Sequence, residues 1–122
     1  MRPPVERIRV SGRAKDILIK AKKHTGLEHW NEICRIALCR SLTNPVPPSK
    51  HKIIADSSID IDWKTFAGVY SNEFVSILLL KARKDGIDIS NKDAIADYFR
   101  NHIERGISSL QNIKTIKMLY DK

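Results

Sequence analysis

A chain of 122 residues with 22 Lys and Arg against 14 Asp and Glu carries a formal charge of +8. That length suits one domain, and 42% hydrophobic with 30% charged residues allows a packed core and excludes a disordered tail. The longest apolar run, Phe74 to Leu80 with Ser76 inside it, falls far short of the ~20 residues that span a bilayer. The charged start Met1 to Arg7 is followed by no apolar stretch, so no secretory signal is expected. Two cysteines in such a chain point to the cytoplasm.

Arg7-Ile8-Arg9-Val10 alternates charged and apolar residues, the period of a half-buried strand with Ile8 and Val10 inward and both arginines outward. Ser11 is an N-cap candidate. Ala14, Ile17, Leu18 and Ala21 then mark one face of a helix that ends in Lys22-Lys23-His24, with Gly26 to close it. A second helix is expected from about Glu28 to Leu42, striped by Trp30, Ile33, Cys34, Ala37 and Leu38 and widened by Ile36 and Leu42. Pro45, Pro47 and Pro48 block its continuation, and the chain to about Asp62 reads as a polar, irregular linker. Trp63 to Tyr70 is a short strand or turn, weakened by Gly68. A third helix opens at Ser71 and closes at Gly86, with almost no polar face. A fourth starts at Ser90 and runs to Gly106, with Ile95, Tyr98, Phe99, His102 and Ile103 on one side. A final helix from Ile107 carries Leu110, Ile113, Ile116 and Tyr120.

The fold class is therefore mainly α: one compact helical domain over residues 1–122. It opens on a basic strand–helix–helix unit (residues 1–42), continues through the proline-containing linker (43–62) and ends in a helical remainder (63–122). Strand–helix–helix is the order of ribbon–helix–helix proteins, in which strands pair between subunits. A single strand has no partner in its own chain, which with the apolar third helix predicts a homo-oligomer.

Residues 1–42 hold ten Lys and Arg against four acids, most of the surplus charge. A one-sided basic surface attracts polyanions through counterion release, although it also serves solubility. At 100° per residue, Lys15 and Lys22 sit opposite the apolar stripe of the first helix, with Lys23 beside them and Arg13 and Lys20 on the flank; Ile19 falls among them as an exposed subunit contact. Lysines without interleaved aromatics suit phosphate contacts better than base reading, so little sequence preference is expected. Only Arg7, Arg9 and Arg13 offer the fork that reads guanine.

Several segments together resemble a family. These are Arg7-Ile8-Arg9-Val10-Ser11 with the helix after it, the run Ile33-Cys34-Arg35-Ile36-Ala37-Leu38-Cys39-Arg40-Ser41-Leu42, the proline break, and His102-Ile103-Glu104-Arg105-Gly106-Ile107. In that order they are similar to DndE, the small subunit of bacterial DNA sulfur-modification (phosphorothioation) systems, over nearly the whole chain. The resemblance implies a part in replacing a non-bridging phosphate oxygen of DNA by sulfur, alongside larger partner proteins. It also implies a homo-oligomer, a tetramer, that prefers nicked duplex DNA. It brings no catalytic motif to transfer. Arg7, Arg9, Arg13, Lys15, Lys20, Lys22 and Lys23 are thus DNA-binding candidates on the charge argument.

Catalytic and cofactor chemistry finds little support. Cys34 and Cys39 lie about 140° apart around a helix and share no face for one metal; structural zinc wants four converging ligands. Both read as small hydrophobes, and a sulfur relay through either has only Arg35 and Arg40 to lower a thiol pKa. Asp60 and Asp62-Trp63-Lys64 are similar to the acid and D-x-K pattern of metal-dependent nucleases, but they sit in a polar segment without a sheet pattern and read as a solvated loop. His102 reads as a hydrogen-bonded core histidine, and no Gly-rich phosphate loop occurs. No cofactor or metal, no membrane and no enzyme activity are expected. Two alternatives to a DNA-binding accessory protein stay open: an adaptor docking an acidic partner protein, and a ribbon–helix–helix repressor.

Overall fold

The computed structural model describes residues 2–119. In chain order its elements are β1 (Arg7–Arg9), α1 (Gly12–Thr25), α2 (Trp30–Leu42), β2 (Asp60–Asp62), α3 (Trp63–Ala67), α4 (Ser71–Lys84) and α5 (Lys92–Ser108). Single 3-10 turns follow α3, at Gly68–Tyr70, and close the described chain at Ile116–Leu119. The protein is mostly helical, with one small antiparallel sheet near its N-terminus.

The two helices after the first strand form as their caps dictate. Ser11 accepts the Ala14 amide at the start of α1, and Gly26, at φ 75°, takes the left-handed turn that ends it. His29 precedes α2 and donates its backbone N–H to the Glu32 carboxylate, so the helix opens at Trp30 rather than at Glu28.

The first strand does have a partner within the chain. β1 pairs antiparallel with β2 in the register Arg7↔Asp62, Ile8↔Ile61, Arg9↔Asp60. This overturns the loop reading of Asp60 and Asp62, and with it the unpaired strand as a reason for a second subunit. Asp-Ile-Asp carries the same two-residue alternation as Arg-Ile-Arg: Ile8 and Ile61 are buried, and opposite charges face each other outside.

Trp63 to Tyr70 is helical rather than a strand or turn. Asp62 caps α3 by accepting the Thr65 amide at 2.7 Å, and Trp63, Phe66 and Ala67 are buried together. Trp63, Phe66, Phe74 and Phe99 then meet edge to face or tilted, with neighbouring centroids 5.4–6.1 Å apart.

The core is built around α2 and α5. Gly106 does not end the fourth long helix; α5 continues through it to Ser108. A Cβ at Gly106 would fall 1.9 Å from the Ala37 carbonyl oxygen, so the missing side chain is what lets the two helices approach. Beyond Ser108 the expected final helix gives way to turns and the closing 3-10 turn. Leu110 and Ile113 are buried there, and Arg40 ties Ser109 and the Leu119 carbonyl together. Tyr120 lies outside the described residues. α4 buries only Val75, Leu78 and Ala82, and leaves Ile77 and Leu80 bare.

A buried polar knot joins α2 to α5. The Arg105 guanidinium donates to Ser41 Oγ at 2.8 Å, and Ser41 Oγ shares a hydrogen bond with His102 Nδ1 at 2.7 Å. His102 is wholly buried and lies edge-on to the Tyr98 ring. Burial, with the Arg105 and Lys81 charges, pushes its pKa down to about 4 from an ordinary 6.5. The unfolded chain therefore takes up a proton that the folded chain refuses. This contribution to stability is complete above about pH 6.5 and is lost as the pH falls toward 4. Urea midpoints measured at pH 7.5, 6 and 5 should fall in that order, and His102→Gln should flatten the trend. Equal slopes in the two proteins would exclude His102 as the source.

Candidate nucleic-acid interface

The solvent side of α1 carries five cations, Arg13, Lys15, Lys20, Lys22 and Lys23, and one acid, Asp16. Arg13, Lys20 and Lys23 are exposed together with Ile19, whereas Lys15 and Lys22 are half-buried at the edge of the face. The reason is that the last two have local partners. Lys15 Nζ donates to Ser58 Oγ at 2.7 Å, and Lys22 Nζ sits 4.4 Å above the Trp30 ring. Arg13 also donates to Ser108 Oγ at 3.0 Å. Among the described residues none of the five is in an ion pair. The N-terminus of α1 offers less, because carboxylates already fill it. Asp56 accepts the Gly12 amide at 2.7 Å, and Glu104 accepts both the Ser11 amide and its hydroxyl.

Arg7 and Arg9 stand apart from that face. Both point outward from the ribbon, but both engage Asp60: Arg7 Nε lies 2.8 Å from Oδ1 and an Arg9 terminal nitrogen 3.4 Å from Oδ2. The Arg7 hydrogen bond and the two positive charges hold the Asp60 carboxyl below the usual carboxylate range. Asp62 is held low by the hydrogen bonds from Thr65 that it accepts as a cap. Two arginines facing two aspartates leave the outer ribbon electrically balanced. Trp30, the first residue of α2, lines both the groove beside Lys22 and Lys23 and the groove beside Arg7 and Asp60.

Sequence reading placed Trp30 in the apolar stripe of α2, and it is indeed partly buried there. Its pairing with Lys22 is not legible in the sequence, because it depends on the turn at Gly26, which folds the start of α2 back against the end of α1. Arg35 and Arg105 are structural. Arg35 donates to the carbonyls of Phe66 and Thr65, and Arg105 donates to those of Ser41 and Val46.

Neither cysteine is poised as a nucleophile. Cys34 is fully buried and its thiol is pushed up to about 12 by burial, with the Glu104 charge adding to the shift. Cys39 is exposed beside an apolar groove of about 660 Å³ between α2 and α4, yet partial burial raises its thiol too. Ellman's reagent at pH 7.5 should therefore titrate one thiol, slowly, and reach the second only on unfolding. A fast-reacting native thiol would contradict this placement. Among the described residues no three His, Cys, Asp or Glu side chains converge in a way that could hold a metal ion. No helix among them is long and apolar enough to cross a membrane.

Fold and surface together define a small helical protein with a charge-balanced ribbon and one strongly basic helix face. The sequence profile of the family described as DNA sulphur modification protein DndE matches residues 7–118. The chain belongs to the DndE family, which takes part in DNA phosphorothioation modification. A crystal structure of DndE from Escherichia coli B7A, involved in DNA phosphorothioation modification, matches it with a TM-score of 0.71 at 23% identity, over 87% of this chain and 96% of that one. No curated protein sequence matches the chain.

Proposed function

We propose that this protein is a non-catalytic DNA-binding subunit of a cytoplasmic DNA phosphorothioation system. It grips duplex DNA, preferentially nicked, through the basic face of α1. The observation that carries this reading is a helix face with five cations, one acid and no ion pair among the described residues. Lysine ammonium groups of this kind pair with phosphates and set affinity without reading bases. Arg7 and Arg9 have a secondary part, because Asp60 already neutralises much of their charge.

The protein acts as a homo-oligomer, a tetramer, so that the α1 face repeats and the DNA meets several copies. Support for assembly comes from bare apolar side chains: Val69 is 86% exposed, Leu80 71% and Tyr70 54%. Light scattering at micromolar concentration should give a multiple of the 14.0 kDa chain mass. Titration with intact and singly nicked duplex at low and high salt tests the whole reading. Binding that weakens steeply with salt supports it. No binding at low salt would sink it in favour of an adaptor that docks an acidic partner protein. A preferred operator emerging from random-sequence selection would replace it with a repressor.

A further inference from the structure

The groove at the C-terminal end of α1 holds more than phosphate-binding charge. It measures about 570 Å³ and is lined by Ile19, Lys22, Lys23, Leu27, Glu28 and Trp30. Trp30 is half-buried, so its ring is anchored against the core while part of it reaches the groove. Trp63, the other tryptophan, lies inside the aromatic core and is 6% exposed. The Lys22 ammonium rests 4.4 Å above the Trp30 ring, Lys23 is exposed beside it, and Ile19 adds apolar surface at 46% exposure. Glu28, at the rim, is the groove's one acid.

We propose that Trp30 is a stacking platform for an unpaired nucleobase of single-stranded DNA, with Lys22 as its placeholder. The inference rests on the DNA-binding reading and extends it from phosphates to bases. A flat, anchored aromatic beside two lysines supplies the two things single-strand binding uses, a π-face for a base and cations for the flanking phosphates. Lys22 covers the ring when DNA is absent. A surface cation–π contact strengthens an equilibrium by a factor of only a few, whereas stacking one base on tryptophan strengthens it roughly tenfold. A base arriving at the ring therefore displaces the ammonium, which swings to a phosphate one nucleotide away. A continuous duplex presents no free base face. A frayed end, a gap or an opened nick does, so the platform distinguishes interrupted from intact DNA without reading sequence.

The test uses a twelve-residue oligo(dT) and a blunt duplex of comparable length, with binding followed by anisotropy and by tryptophan emission. In the unmodified protein, oligo(dT) should quench emission and the duplex should not, because the groove tryptophan is the one that a base can reach. Trp30→Ala should weaken oligo(dT) binding about tenfold and duplex binding less than twofold, while Trp30→Phe keeps most of the oligo(dT) affinity. Circular dichroism checks that each variant is folded, and quenching in the unmodified protein stands even if Trp30→Ala does not fold. Oligo(dT) binding without quenching, or equal losses on both DNAs in a folded Trp30→Ala, overturns the stacking site and leaves phosphate binding intact. Failure of the unmodified protein to bind either DNA instead removes the DNA-binding reading, and the platform with it.

Discussion

Replacing Lys20, Lys22 and Lys23 by glutamine should weaken duplex binding roughly a hundredfold or more near 0.1 M salt. It should also flatten the dependence of log K on log salt by about three units, since each lysine–phosphate contact releases close to one counterion. Glutamine keeps the inner part of each stem and removes the charge, including the Lys22 ammonium that rests over Trp30. Folding stability should therefore stay within about 1 kcal/mol of the parent, the size of a surface change together with one exposed cation–π contact. The companion variant, Arg7→Gln with Arg9→Gln, removes two positive charges but leaves Asp60 and Asp62 facing outward from the ribbon without their cross-strand partners. Those arginines already spend much of their charge on Asp60, so the loss of DNA affinity should be several-fold and the change in salt slope below that of the lysine triple. If the arginine pair costs more than the lysine triple, the ribbon is the DNA surface and α1 is not. If the folded lysine triple binds as the parent does, the basic face has another purpose.

The contrast between these variants also marks where sequence reading stops. Local features came through to the residue: the Ser11 cap, the Gly26 stop, the apolar stripe of α1 and the proline-broken end of α2 all depend on neighbours within a few positions. What failed depends on long-range pairing. β2 is three residues in a polar stretch, and its alternation means something only once Ile61 meets Ile8 across the sheet. The neutralisation of Arg7 and Arg9 by Asp60 follows from that same register, so seven candidate cations separate into an α1 group that makes no ion pair among the described residues and a balanced pair on β1. Trp30 failed differently. Its burial was legible, but its second role at the groove depends on how α1 and α2 meet. Helicity in α3 was hidden because Gly68, which argues against a long element, sits one residue past the end of a short one.

Gly106→Ala should destabilise the protein by about 3 kcal/mol, or prevent folding altogether. Propensity alone argues for the opposite sign, since alanine in a helix interior is favoured over glycine by up to about 1 kcal/mol. Gly106 lies within α5, so a gain is the expectation for any exposed site. Packing reverses it. The added methyl would lie 1.9 Å from the Ala37 carbonyl oxygen and 2.4 Å from its carbon, and neither backbone atom can rotate away. Relief requires α2 and α5 to separate. That separation pulls at the Ser41–His102 hydrogen bond between them and at the Ser11–Glu104 bonds that anchor the start of α1. Overpacking of this kind costs about 1–3 kcal/mol where side chains can adjust, and a backbone clash belongs at the upper end. Trimming the facing residue offers no escape: in a double variant with Ala37→Gly the carbonyl remains, so stability should not recover. Urea denaturation of the two variants and the parent decides the matter. A Gly106→Ala protein as stable as the parent would mean that α2 and α5 stand further apart than described, and rescue by Ala37→Gly would move the clash from backbone to side chain.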